Sequence, residues 1–317
     1  MKVLLSLLTA MAAAPLTMTA APVPKGAQGG NPSILVSTDW LASHLREESL
    51  VILHVGVPKD YDAGHIPGAQ LVTLQDISII GERGLRLELP PVKTLEEEFG
   101  RLGVGNGVRV IVYPGTENVS GATRVWFTLD YLGLGRQASL LDGGLSLWRA
   151  EGRPLSTEAP RAAGRKFTAT PVPERIANAE WIRAHLNDRL VQLLDARLPE
   201  FYSGASAGNM PRAGHIPGAR NVPYTSLIEQ HGKLKPASAL RELFLAGGSR
   251  EPAVTVFYCH IGQQATVLYF TARYLGLDAR LYDGSFQDWS GRSELPVETS
   301  ASRTPSAVSR PATTSTN

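Results

Sequence analysis

Gly214-His215-Ile216-Pro217-Gly218-Ala219 is a second copy of Gly64-His65-Ile66-Pro67-Gly68-Ala69, and this duplicated string organises the whole chain. Other pairs fall into step around it. Trp40-Leu41-Ala42-Ser43-His44-Leu45 matches Trp181-Ile182-Arg183-Ala184-His185-Leu186 at an offset of 141 residues. The same offset of 141 sets Ile52-Leu53-His54-Val55 over Leu193-Leu194-Asp195-Ala196, and Asp142-Gly143-Gly144 with Trp148 over Asp283-Gly284-Ser285 with Trp289. Tyr131-Leu132-Gly133-Leu134 returns at Tyr274 to Leu277. The Gly-His-Ile-Pro-Gly-Ala string is offset by 150, so the second copy carries nine extra residues between Asp195 and Gly214. Solenoid units run about 20 to 50 residues, so repeats this long are whole domains. The chain reads as tandem domains over 33–155 and 176–297. A Pro-rich, charged linker over 156–175 joins them, and a Ser-, Thr- and Pro-rich tail over 298–317 is expected to be disordered.

Within each copy short apolar runs alternate with helical patterns. In the second, Asn178 is placed to cap a helix through Leu186, Leu190 to Ala196 is strand-like, and Leu240 to Ala246 is helical. Ala253 to Tyr258 is a β-rich run, Gln264 to Leu275 a helix and Arg280 to Tyr282 a short strand. Strands separated by helices imply an α/β fold: two domains, each a mainly parallel sheet flanked by helices. Ligands of such sheets bind beyond the carboxyl ends of the strands.

Composition narrows the function. The chain has 317 residues, 43% apolar and 19% charged, enough for sizeable cores and unlike a disordered or fibrous chain. The net charge is only +2 and no long basic run occurs, which argues against nucleic acid as a partner. At the amino terminus Met1-Lys2, the apolar run Val3 to Ala14 and small residues near Ala21 form the pattern of a signal peptide over 1–21. Export, as to a bacterial periplasm, is therefore expected. A stable membrane anchor is not, because that run is shorter than the ~20 apolar residues of a spanning helix. Nothing in the sequence sets the oligomeric state.

Cys259 is the single cysteine, so an intramolecular disulfide and a multi-cysteine metal site are excluded. It follows Val254-Thr255-Val256-Phe257-Tyr258 and opens Cys259-His260-Ile261-Gly262-Gln263-Gln264, ahead of a helix. A strand end, a Gly-containing loop and a helix N-terminus put the sulfur where N–H groups converge, a setting that favours a nucleophilic thiolate. The competing reading is a buried, inert cysteine. A cysteine phosphatase would need an Arg six residues after the cysteine, and that position is Ala265.

The doubled Gly-His-Ile-Pro-Gly-Ala string, the six-residue loop opening with Cys259 and the Asp-Gly-x-x-x-x-Trp ending of each copy resemble the rhodanese superfamily in its tandem-domain sulfurtransferase form. The resemblance covers about residues 33 to 297. It implies two α/β domains, only the second catalytic, with Cys259 carrying sulfur as a persulfide. No metal or organic cofactor is implied. The partners would be a small-molecule sulfur donor (thiosulfate, 3-mercaptopyruvate or a persulfide) and a thiol or cyanide-like acceptor. A non-catalytic exported module that binds a sulfur species or a protein is the alternative.

Comparison of the copies supports the asymmetry. Pro114 stands opposite Cys259, His54 opposite Asp195, and the first-copy loop reads as two residues longer before its helix. The first domain is expected to wall the site or merely to stabilise. Candidate substrate-binding residues are Arg197, Arg212, His260 and the loop residues Ile261, Gly262, Gln263 and Gln264. Arg197 is either a cation beside a sulfur anion or a structural partner of Asp195. Arg212 is either a ligand or a surface residue of the insertion. His260 adjoins the nucleophile and could carry partial positive charge near neutral pH. His65 with His215 and His44 with His185 recur in both copies and read as architecture, as do Asp283 and Trp289. Where thiosulfate-using relatives carry basic residues after the cysteine, and both types carry an Arg four residues beyond the place of Arg197, this chain has His260, Ile261 and Phe201. Nor is there a Ser at 261, as the mercaptopyruvate type would suggest.

Overall fold

A computed structural model describes residues 30–158, 160, 164–245 and 252–300. The expected signal peptide lies outside these residues, as does all but the first three positions of the expected tail. The first domain holds strands β1 (Leu35–Val36), β2 (Leu50–Val55), β3 (Ala69–Val72), β4 (Arg109–Pro114) and β5 (Ala138–Leu141), all parallel, in the order β1-β5-β4-β2-β3. The second repeats this with β6 (Val191–Asp195), β7 (Arg220–Asn221), β8 (Val254–Tyr258) and β9 (Ala279–Leu281), in the order β7-β6-β8-β9. The counterpart of β1 shrinks to one parallel bridge, Ile176 to Leu281. All five residues of β8 are buried, as its unbroken apolar run requires of a central strand covered on both faces. The second-copy elements fall within a few residues of their expected spans, and Asn178 caps its helix by accepting the Trp181 N–H at 2.8 Å.

The domains dock through corresponding helices, Ser120–Tyr131 and Ala265–Tyr274. Tyr131 matches Tyr274 at an offset of 143, and by that offset Thr123 is the mate of Thr266. Their hydroxyls share a hydrogen bond at 2.8 Å, so equivalent residues meet on a local two-fold axis. The aromatic contacts obey the same symmetry: Trp126 lies edge-on to Phe270 at 4.8 Å and Phe127 to Tyr269 at 5.0 Å. Asp142 accepts the Leu234 N–H at 3.0 Å, and Asp283 reciprocally accepts the Leu89 N–H at 3.1 Å. The repeated aspartates are therefore clamps between domains, a more specific role than the general scaffold expected of them.

The other repeated residues are architectural. Trp148 and Trp289 donate their indole N–H groups to Pro154 O at 2.8 Å and Pro296 O at 2.7 Å, tying down the chain that leaves each domain. His65 and His215 stack on Tyr61 and Tyr202 and bond to the carbonyls of those tyrosines. The segment expected to be a bare linker is strapped to the first domain. Ser156 pairs with His65, Arg165 N–H reaches Gly100 O at 2.9 Å, Thr170 N–H reaches Leu132 O at 3.1 Å, and Phe167 is buried.

Candidate active site

Cys259 leaves the carboxyl end of β8 and lies, 1% exposed, on the floor of a cleft of about 380 Å³. Its own N–H donates to Ser285 Oγ at 3.2 Å and its carbonyl accepts from Phe286 N–H at 3.0 Å, which fixes the start of the loop. Ser285 holds a left-handed φ of 51° at the place of Gly144, and its hydroxyl donates in turn to Tyr282 O at 2.8 Å. That role is invisible in the repeat, where Gly and Ser look interchangeable. The next N–H groups, of His260 to Gln264, donate to no acceptor among the described residues. Gly262 has φ +79°, and a Cβ there would stand 2.5 Å from Asp283 O, so only glycine makes this turn. A left-handed residue among consecutive uncommitted amides is the backbone pattern of an anion-binding nest, here directly following the cysteine.

The equivalent loop of the first domain has lost this property. Register places His54 opposite Tyr113 and Asp195 opposite Tyr258, so Pro114 does occupy the place of Cys259. Its loop spends amides internally: Gly115 N–H on Val55 O, Asn118 N–H on Thr116 Oγ1 and Ser120 N–H on Asn118 Oδ1. The two extra residues do not lengthen the loop as expected. They extend the helix, which has 12 residues against 10 in the second copy. His54 is fully buried with Nε2 unpartnered among the described residues, and burial first of all holds its pKa down to about 4. It is a neutral filler where the second copy has Asp195.

The candidate residues divide. His260, Ile261, Gln263 and Gln264 line the cleft with Cys259. Gly262 does not; it shapes the loop, and its carbonyl accepts Arg124 Nη1 at 3.2 Å. Arg197 is fully buried off the cleft, gripping Asp195 through Nε at 3.0 Å and Nη2 at 2.6 Å and donating to Gly214 O at 2.7 Å. Burial is the largest single influence and opposes its charge, but Asp195 together with Tyr258 and Cys259 overcomes it, and the pKa rises. Its Nη1 has no partner among the described residues. The ion pair expected as the structural alternative is thus present, and one guanidinium nitrogen remains uncommitted. Arg212 is neither a cleft residue nor a loose surface residue. Its guanidinium collects the carbonyls of Trp289, Ser290, Arg292 and Leu295 at 2.7 to 2.9 Å, capping the carboxyl end of helix Ser285–Gly291. For His260 the expected positive charge is corrected. Burial and then the Arg197 charge lower its pKa, so the ring, packed edge-on to Phe201 at 4.6 Å, is neutral at neutral pH.

Sequence reading missed the first domain's share of the cleft. Arg86, Asn118 and Ser120 line it, and Gln263 Nε2 donates to Ser120 Oγ at 3.1 Å across the interface. The nine-residue insertion adds Gly208, Asn209 and Met210. Behind the loop, fully buried Arg124 pairs with Asp283 and also donates to Leu87 O. Its mate in the other helix is Val267, so this contact has no symmetric partner. Among the described residues no group of His, Cys, Asp and Glu is disposed to hold a metal ion, and no helix is long and apolar enough to cross a membrane.

Glu88 adjoins the clamp. Burial, then the Asp283 charge, raise its pKa from 4.5 to about 7. The native state therefore keeps a proton that the unfolded chain releases above 4.5, and stability is lost as pH rises from there through about 7. Glu88→Gln removes the cost. The variant should be more stable than the parent above pH 7, by about 1 to 3 kcal/mol, with the gap closing below the ordinary value of 4.5. Thermal unfolding scanned across pH checks this, and a gap independent of pH would contradict it.

A family model described as a rhodanese-like domain matches residues 37–151 and again 178–292. The sulfur carrier protein TtuD of Thermus thermophilus is 34% identical over 296 residues, covering 84% of this chain and 97% of that protein. A 3-mercaptopyruvate sulfurtransferase of Escherichia coli K12 is 30% identical over 278 residues, covering 83% and 97%. The crystal structure of SseA from Escherichia coli, described with the rhodanese fold of 3-mercaptopyruvate sulfotransferases, superposes with a TM-score of 0.71 at 28% identity, over 79% of this chain and 98% of that one.

Proposed function

Because the chain belongs to the rhodanese family and is a sulfurtransferase, we propose that it moves sulfane sulfur through a persulfide on Cys259. The observation that carries this reading is the pairing of a cleft-floor cysteine with a run of uncommitted amides, in the one domain that has a thiol. The Cys259 thiolate attacks the outer sulfur of a donor R–S–S⁻. The donor S–S bond breaks, R–S⁻ leaves with its electron pair, and Cys259–S–S⁻ forms against the amide nest. An acceptor thiolate then takes the outer sulfur and returns the Cys259 thiolate. Neither half-reaction needs an external oxidant or reductant. The reading includes export, supported by the Met1 to Ala21 segment.

Thiosulfate is a poor donor on this reading. The cleft wall carries Phe201 and Ile261 where cations would grip a small dianion, and His260 is neutral. Each missing charge-assisted hydrogen bond is worth ~1.5 to 3 kcal/mol. Phe201→Arg with Ile261→Lys should raise kcat/KM for thiosulfate by about tenfold or more. Steady-state kinetics with a common acceptor is the measurement. An efficient parent enzyme that the double substitution leaves unchanged would overturn the charge argument.

A further inference from the structure

The amide nest accounts for the persulfide but leaves the rest of the donor without a charged partner in the catalytic domain. Arg197 spends its charge on Asp195, and Phe201 and Ile261 are apolar. The one permanently charged side chain among the described residues lining the cleft is Arg86, and it comes from the domain that has no cysteine. Arg86 is exposed while Cys259 is 1% exposed, so the cation sits at the rim and the sulfur at the floor.

Its backbone is held there by the other domain. Arg86 N–H donates to Gln287 Oε1 at 3.0 Å, Gln287 Nε2 donates to Gly84 O at 3.1 Å, and Leu89 N–H donates to Asp283 at 3.1 Å. Arg124 binds Leu87 O from behind. Leu87 itself has φ +61°, a conformation rare for a leucine and kept only where the surroundings impose it. The guanidinium forms no hydrogen bond or ion pair of its own among the described residues. The cross-clamped backbone fixes where the Arg86 side chain starts, and its guanidinium is left uncommitted for a ligand.

We infer that Arg86 anchors the anionic end of the sulfur donor, so that one substrate site is shared between the two domains and the donor is an organic persulfide bearing a carboxylate remote from its sulfane sulfur. The inference rests on the persulfide reading above. A charge one bond from the transferred sulfur would stay at the floor, out of reach of the rim. A cleft of about 380 Å³, lined by both Arg86 and Cys259, has room for a small organic persulfide.

The test compares glutathione persulfide with its diethyl ester, in which the carboxylates are masked, measuring the rate of Cys259 loading by stopped reaction and intact mass. For the parent, loading from the acid should exceed loading from the ester. In Arg86→Ala the acid-to-ester ratio of kcat/KM should fall by about tenfold, through KM, and Arg86→Lys should recover part of it. The clamping bonds are made by backbone atoms, so removing the side chain leaves them in place. Loading of the parent from both donors with a ratio unchanged in Arg86→Ala would overturn the role of Arg86 alone. Failure of the parent to load from any donor would overturn the persulfide reading, and this inference with it.

Discussion

Cys259→Ser should abolish sulfur transfer, leaving only the uncatalysed rate with every donor and acceptor pair. The hydroxyl of a serine neither ionises near neutral pH nor forms the sulfur–sulfur bond on which the cycle depends. The chain has one cysteine, so no second thiol can take over. The substitution keeps side-chain volume at a 1% exposed position, and the loop contacts of residue 259 are made by its backbone to Ser285 and Phe286. Thermal unfolding of the variant, expected near that of the parent, separates lost chemistry from lost fold. Residual turnover of the serine variant at a tenth of the parent rate would place the chemistry elsewhere.

The second large effect is one of stability. Arg124→Met should lower the stability of the protein by about 3 to 5 kcal/mol, roughly 10 °C in Tm, because it strands a buried Asp283 without its cation. Removing the guanidinium also frees Leu87 O and Gly262 O, so the rim segment and the catalytic loop loosen together. Donor kcat/KM should fall as well, even though Arg124 never faces the cleft. Arg124→Lys should rescue little, since a single ammonium cannot match the planar fork that reaches three acceptors from one buried position. Calorimetry and donor kinetics on both variants provide the check; a drop below about 1 kcal/mol for Arg124→Met would show that the pair is dispensable.

What the sequence disclosed was whatever local spacing encodes. The Gly-His-Ile-Pro-Gly-Ala strings gave two domains because each needs the same turn, and the run from Val254 to Tyr258 read as a strand because all five residues are buried. Cys259 stood out as the only thiol at a strand end. What local spacing cannot encode is the packing of one domain on the other. Arg86 and Asn118 lie in loops and Ser120 opens a helix, and nothing local marks any of them as facing the cleft of the other domain. Arg124 did leave a trace: it is the one charge in the stretch from Ala122 to Leu129, at a place where the second copy has Val267, and a charge on a helix face otherwise built for burial implies a buried partner. Arg212 misled because an arginine in an insertion was read as a ligand or a surface residue, whereas its guanidinium closes a helix end. His260 misled because a neighbour in sequence was credited with charge before its burial against Phe201 was known.

The most direct test of the persulfide account is the intact mass of the full-length protein before and after exposure to a competent sulfur donor, with peptide mapping of the product. The account predicts a gain of one sulfur, about 32 Da, confined to the peptide that contains Cys259 and removed by a thiol reductant. No gain from any donor, or an equal gain in Cys259→Ser, would contradict it.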